Sequence, residues 1–452
     1  MKKYIIVLVV CFLTIAIVSM ADATIYYVDR ARPDDSGDGT TWATAKKTIA
    51  AGVSLLRSGD TLKIASGTYP EAINVVNKNY TSWVTIETDD KNGNPGFVTL
   101  TGSATNNGHS GAIAVWNSNY VRIDGRQWDG FYCNVTGLSH AAYNLGGSDN
   151  YNYAVLKYIK ATGSYTDEGV IVIGSHSNAE IAYCNVNASA PFLVQMFSWG
   201  VGDPNPRNKG SIHHNVIQGT TDSGYSGIDV LRFDYCDVYC NYLYNITGSG
   251  DGTTAIRTRQ GHDNRFFNNV VYCQSGKRFK NFGQCRGMSD GSGYCRRNWW
   301  YNNTFIIEGT LTEGVFHISD VSDQNKFFNN LVIGNVTEYF FTTWTANGIN
   351  NEAYSNVITG SLNGWFEKSS VEAMFTIKSA GSANQGTSFI NLTGYKPFPF
   401  WGLSSSKDGA PVPSLTTDYN GNSRGDPPDV GAFEYGELPP TPAPPKNLRI
   451  IN

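Results

Sequence analysis

One short theme recurs along this chain, and no other feature narrows its possible folds as far. It reads IAYCNVNA at 181–188, IHHNVIQG at 212–219, VYCNYLYN at 238–245, FFNNVVYC at 266–273, WYNNTFII at 300–307, FFNNLVIG at 327–334 and AYSNVITG at 353–360. Each copy holds an aromatic residue or His, then Asn, then an apolar or β-branched strand that ends in a turn. The marking asparagines, Asn185, Asn215, Asn241, Asn269, Asn303, Asn330 and Asn356, are separated by 30, 26, 28, 34, 27 and 26 residues. A period in the high twenties with such short strands suits a coil of three strands joined by turns, each coil bonding to the next at about 4.8 Å. A propeller would need about four longer strands in every 40 or more residues. Composition agrees: 48 Gly, 26 Tyr and 22 Phe with only 16% charged residues describe turns and aromatic-rich strands more than surface helices.

The expected fold class is therefore all-β, a right-handed parallel β-helix with an N-terminal capping helix. Asn at one fixed turn position tolerates left-handed backbone, and stacked carboxamides can hydrogen-bond along the axis as a ladder, so these asparagines read as structural. YVRIDG at 120–125 and YAVLKYIKATG at 153–163 have the same strand-and-turn character, which starts the solenoid before residue 100. Ahead of it, residues 43–56 place Ala45, Ile49, Val53 and Leu56 on one helical face, stopped by Gly59-Asp60; a solenoid needs such a cap over its open apolar end. The acidic turn at Asp34, Asp35 and Asp38 lacks the spacing of a calcium-binding EF-hand loop and reads first as an Asx-rich turn, with calcium as the alternative.

Residues 1–23 carry two lysines, an apolar run from Tyr4 to Val18, then small residues around Asp22. This predicts a cleavable export signal and an extracellular protein, the run being short of the about 20 residues a membrane span needs. Export permits disulfides, yet the seven cysteines beyond Cys11 are odd in number and show no zinc spacing. They read as buried small hydrophobes, with bridges among Cys236, Cys240, Cys273, Cys285 and Cys295 as the alternative. A net charge of -4 with pI near 6.0 provides no field that would gather nucleic acid or an anionic membrane. A monomer is expected.

The run IYYVDRARPDDSGDGTTWATAKKTI, followed by SGDTLKIASGTYPE at 58–71, resembles the cap and first coil of bacterial pectin lyase-like right-handed β-helix proteins. DYNGNSRGDPPDVGAFEY at 418–435 resembles the segment that often closes that domain. The resemblance spans residues 24–436, with 24–70 as cap and first coil and 418–436 as closing segment. From 437 to 452 the proline cluster Pro439 to Pro445 predicts an extended linker, and KNLRI resembles the start of a truncated fibronectin III-like module. The superfamily includes polysaccharide lyases, glycoside hydrolases, epimerases, adhesins and phage tailspikes.

Aligning the strand that precedes each Asn theme, with Ile171, Val194, Ile228, Ile256, Cys285 and Ile318 inward, puts Val172, Gln195, Asp229, Arg257, Arg286 and His317 outward. Arg232, Arg259 and Asp320 follow one step along. Asp229, Arg257, Arg286 and His317 would form one row about four coils long, enough for several sugar units of a polymer. Guanidinium groups pair with uronate carboxylates, and β-elimination needs that carboxylate neutralised while a base removes the neighbouring proton. The resemblance implies Arg257 or Arg259 as base, beside calcium held by aspartates; only Asp229, Asp234 and Asp237 come near such a set. No cofactor is certain, and calcium is the one admitted. A hydrolase needs two carboxyl groups flanking one bond, and Asp229 and Asp320 would stand about three coils, roughly 14 Å, apart. Three functions follow: a lyase on an acidic glycan, a non-catalytic adhesive solenoid that binds glycans, and a glycoside hydrolase. In each the partner is a polysaccharide.

Overall fold

In the computed structural model the chain is described over residues 23–147, 151–199, 209–221, 225–248, 253–288, 293–358 and 360–379, with isolated positions between 416 and 432. Three long sheets of parallel strands run the length of this span, with 13, 11 and 12 strands among the described residues. The first runs from Ile25–Val28 to Phe375–Ser379, the second from Gly67–Tyr69 to Val357–Ile358 and the third from Ile73–Val76 to Leu362–Phe366. The chain visits them in rotation, so neighbours within a sheet lie one coil apart in sequence. This is a parallel β-helix. Among the named strands, the antiparallel pair is Ala104–Asn106 with His109–Gly111.

Strict alternation builds the core. Ile212, Val238, Phe266, Trp300 and Phe327 of the first sheet point inward and are buried, each contributing roughly 1.5–3 kcal/mol by leaving water. Phe266 and Trp300 stack at 4.0 Å between ring centres. On the outer face of the same sheet His213, Tyr239, Phe267, Tyr301, Phe328 and Tyr354 form a second stack, 4.7 to 5.2 Å from ring to ring. Trp300 and Tyr301 therefore pack coil against coil.

The asparagines form the expected ladder, with two corrections. From Asn215 through Asn241, Asn269, Asn303 and Asn330 to Asn356, each Nδ2 donates to the next Oδ1 at 2.9 to 3.0 Å, and all six residues are buried. Asn185 stands outside it: its position in the ladder is taken by Cys184, whose backbone N–H donates to Asn215, and Asn185 donates instead to Asp129. The left-handed residue is also not the ladder Asn but the one before it, as at His214, Cys240, Asn268, Asn302, Asn329 and Ser355. The Asn amide secures that tight corner by donating to a carbonyl at the end of the preceding coil's strand, for Asn269 that of Val238 at 2.9 Å. A second ladder marks the turn entering the first sheet: the backbone N–H of Asn264 donates to Asn298 Oδ1, and Nδ2 donates to the next Oδ1 from Asn298 to Asn325 and from Asn325 to Asn351.

The N-terminal helix is Ile49–Leu55, shorter than the expected 43–56. Thr48 is its N-cap, donating its hydroxyl to Asp35, which also accepts the N–H groups of Lys47 and Thr48. This fixes the start of the helix six residues late, at Ile49. The helix lies so close to the first coil that a Cβ on Gly52 would meet Val28 at 2.4 Å and Leu62 at 2.9 Å. Asp34 and Asp38 accept hydrogen bonds from Ser36, Thr40 and Thr44 within their own turn, the Asx-rich arrangement.

Cys133, Cys184, Cys236, Cys240, Cys273, Cys285 and Cys295 are all buried and unbridged. No helix among the described residues is long and apolar enough to cross a membrane. The export signal and the proline linker lie outside the described residues. Of the closing segment, Ala432 donates to Thr304 at 2.8 Å, while just ahead of it the Thr417 carbonyl accepts from Asn268 at 2.9 Å. Thr417 and Ala432 thus contact the middle coils at Asn268 and Thr304.

Candidate functional site: the outer face of the third sheet

The strands Ser226–Leu231 and Thr253–Arg259 turn Ile228, Val230 and Ile256 into the core, which leaves Asp229, Arg257 and Arg259 on the outer face. The observed row is Val172, Gln195, Asp229, Arg257, Gln284, His317, Thr342. Arg286 is not in it. It pairs with Arg259 two residues further along, because Ile256 aligns with Gly283 and not with Cys285. A slip of two preserves the alternation and is invisible to a period-two pattern.

Asp229 has no exposure, and its two oxygens accept from Arg257 Nε at 2.8 Å, Arg259 Nη2 at 2.9 Å and Gln195 Nε2 at 3.1 Å. Burial alone would raise its carboxyl, but Arg259 and Arg257 outweigh it and hold it down at about 2. Arg257 is buried against the Phe192 ring, its guanidinium 5.0 Å from the ring centre, and burial lowers its pKa against the pull of Asp229. Arg259 also crosses Phe192, at 5.5 Å, but is 26% exposed. Burial opposes its charge and Asp229 more than offsets this, so its pKa is raised. Arg232 donates to Gln260 at 3.0 Å.

Arg286 lies one coil beyond Arg259, and His317 and Asp320 lie one coil further, where the three gather. Arg286 pairs with Asp320 at 3.2 Å and lies 5.2 Å over Trp344, whose ring also packs on His317 at 4.4 Å. His317 is buried, its Nδ1 3.1 Å from the Thr342 hydroxyl, and burial, with Arg286 and Lys280 nearby, pushes it down to about 3. Lys280 pairs with Glu313 at 3.6 Å and stands 6.0 Å from the Trp344 ring. Trp344 itself is 49% exposed and Trp199, at the same edge of the sheet five strands earlier, is 44% exposed.

The candidate calcium aspartates do not converge. Asp229 is held by two arginines, Asp234 accepts from His262 at 2.8 Å and 3.0 Å, and Asp237 pairs with Arg265. Asp229 and Asp320 lie in coils three steps apart, as expected.

Four polar residues beside this face were not singled out in the sequence. Glu168 is exposed; burial of its carboxyl by neighbouring groups raises its pKa, Asp167 adds to this, and Arg259 opposes it. His109, His140 and Asp167 form a compact cluster at the entry edge of the same sheet. Their spacings of 31 and 27 residues match the coil period, a signal hidden because none of them lies in the Asn theme.

No family profile and no curated protein matches the sequence. Among solved structures, pectate lyase Pel9A aligns over 92% of this chain and 98% of its own, at 13% identity and a TM-score of 0.50. A GH136 lacto-N-biosidase from Eubacterium ramulus aligns over 79% and 67% at 13% identity with a TM-score of 0.44, and a rhamnogalacturonan lyase over 69% and 82% at 11% with 0.31. At these identities the likeness is one of architecture, and the first of the three carries it. In fold, the chain is a parallel β-helix similar to that of pectate lyase Pel9A.

Proposed function

We propose that this chain is a secreted, right-handed parallel β-helix, closed at its N-terminal end by the helix Ile49–Leu55, that acts by β-elimination on an acidic polysaccharide. The observation that carries this reading is the exit edge of the third sheet. There Arg259 and Arg286, both solvent-reaching and in adjacent coils, lie between the exposed rings of Trp199 and Trp344. Five interstrand steps separate the tryptophans, about 24 Å, a length that fits several sugar units. Indole faces stack on sugar rings, and guanidinium forks pair with uronate carboxylates. The pectate lyase likeness in fold is consistent with such a substrate.

In this reading Arg257 and Arg259 stand nearest the chemistry in different ways. Asp229 keeps Arg259 charged, so Arg259 neutralises the uronate carboxylate and acidifies the proton at carbon 5. Arg257 is buried and orients Asp229, with Gln195 as its second support. Glu168, an exposed carboxylate that feels the charge of Arg259, takes the proton in this reading. Arg232, Arg286, His317 and Asp320 line the neighbouring subsites, His317 by holding Trp344.

The test incubates mature protein with pectate, alginate and glycosaminoglycans, with and without calcium, following the ultraviolet absorbance of the unsaturated uronate. Product that is lost in Glu168→Gln and Arg259→Ala supports the lyase. Binding of an acidic glycan with no product on any polymer favours the second reading, a non-catalytic glycan-binding solenoid; full engagement of Asp229 by Gln195, Arg257 and Arg259 is the observation on its side.

A further inference from the structure

His109, His140 and Asp167 come from three successive coils and meet at the entry edge of the third sheet. His140 is 2% exposed, and its Nδ1 lies 2.6 Å from the carbonyl oxygen of Gly169. A carbonyl can only accept, so Nδ1 carries the proton and Nε2 presents a lone pair. That lone pair faces His109 Nδ1 at 3.3 Å and Asp167 Oδ2 at 3.6 Å. His109 Nδ1 lies 2.9 Å from Asp167 Oδ2. Three electron-rich atoms thus share one proton, that of His109, and a lone pair is aimed at a carboxylate.

The side chains are held there. Tyr143 donates its hydroxyl to the His109 carbonyl at 2.9 Å, and the His109 ring stacks on Trp116 and on His140. The hairpin that carries His109 is tied to the next coil by Ser110, which accepts from the N–H groups of Ser139 and His140. A backbone carbonyl on one ring nitrogen, as Gly169 is to His140, fixes which nitrogen of an imidazole is left to bind a metal.

We propose that His109 Nδ1, His140 Nε2 and Asp167 Oδ2 are three ligands of a single divalent transition-metal ion, zinc by the chemistry of the donor set, with its remaining position turned to solvent. Four-coordinate zinc with bonds of about 2.0–2.2 Å sets its ligand atoms about 3.3 Å apart. The three separations here, 2.9, 3.3 and 3.6 Å, bracket that value. Two imidazole nitrogens suit zinc, whereas calcium and magnesium take oxygen. His109 and Asp167 are 21% and 35% exposed, so the open side of the triangle faces water. This inference does not rest on the polysaccharide reading, although Glu168 follows Asp167 and connects the two sites.

The test strips mature protein with EDTA, then titrates it with Zn2+ or Co2+. One equivalent of zinc retained after desalting, a rise in melting temperature, and the visible absorption of four-coordinate cobalt are expected. His109→Ala and Asp167→Ala, both at the exposed rim, should weaken retention by more than the roughly 10–100-fold that loss of an outer-shell partner costs. Zinc bound equally by parent and both variants overturns the site, as does a parent that retains none. Displacement of zinc by equimolar calcium overturns the transition-metal assignment. Should a variant lose the parent's circular dichroism, the cobalt spectrum of the parent decides alone: imidazole ligation is either present or absent.

Discussion

Asn215 accepts the backbone N–H of Cys184 through its side-chain oxygen at 2.9 Å, and there the ladder ends, since a thiol has no amide with which to pass the bond on. Inside the ladder each carboxamide is more heavily engaged. Asn269 accepts from the N–H and Nδ2 of Asn241 and donates to Val238 and Asn303. Asn269→Ala leaves several buried groups unsatisfied at about 1–3 kcal/mol each, so a loss of roughly 2–4 kcal/mol in denaturant unfolding is expected. Asn185→Ala removes one half-buried contact and should cost under about 1 kcal/mol. Equal losses at the two positions would remove the ladder as the explanation.

Asp229 gives a second expectation. Its carboxylate is buried between two guanidinium groups, and removing one partner of a buried ion pair costs about 3–5 kcal/mol. Asp229→Ala should lose that much. The sign with pH follows from the depressed pKa of about 2 against 3.8: the contribution is fully present above the higher value and is lost as pH falls through about 2. Acid unfolding of the parent, minus that of Asp229→Ala, should show this loss between these values. A flat difference would place the ion triplet elsewhere in the energetics.

These two cases show what the residues revealed by themselves. The period and the recurrence of Asn were enough for parallel coils, because every coil must repeat the same corner. They did not distinguish Asn185 from Cys184, since Asn in an adjacent position satisfies the pattern without entering the ladder. At the site, period-two alternation sets Asp229 beside Arg257, as in the structure, but leaves Arg286 uncertain by two residues because Gly283 and Cys285 both fit an inward position. Burial of the inward-facing residues was legible, but that of the outward-facing ones was not. An outward-facing charged residue reads as solvent-exposed, but Phe192 and the neighbouring arginine cover Arg257. The cluster of His109, His140 and Asp167 is hidden because it combines the coil period with a hairpin that interrupts it, outside the Asn theme.

His317 should respond to acid in the opposite chemical sense from Asp229, though in the same direction. It is buried as the neutral imidazole, with its pKa pushed from 6.5 to about 3, and Arg286, Lys280 and Lys368 oppose a further positive charge. The unfolded chain therefore takes up its proton first, so the stability is complete above pH 6.5 and declines as pH falls toward 3. His317→Gln keeps the shape and removes the titration. The parent should lose stability relative to this variant across that window, and parallel curves would show that His317 is not buried neutral.

The exposed edge makes the most direct prediction for function. Arg259 is held by Asp229 yet reaches solvent, and Arg286 lies over Trp344, so charge and stacking surface occur together in adjacent coils. An acidic oligosaccharide should bind more weakly as salt rises, because exposed charges are screened within about 8 Å at physiological ionic strength. Arg286→Ala should weaken binding and reduce the salt dependence, since one cation is removed. Trp344→Ala should weaken binding by about tenfold, the equivalent of a stacking contact worth roughly 1–1.5 kcal/mol, while leaving the salt dependence as in the parent. Isothermal titration at two ionic strengths separates the two effects. If both variants bind as the parent does, the polymer does not lie along this edge, and the search moves to the outer stack of the first sheet, where Tyr239 and Phe267 are the half-exposed rings.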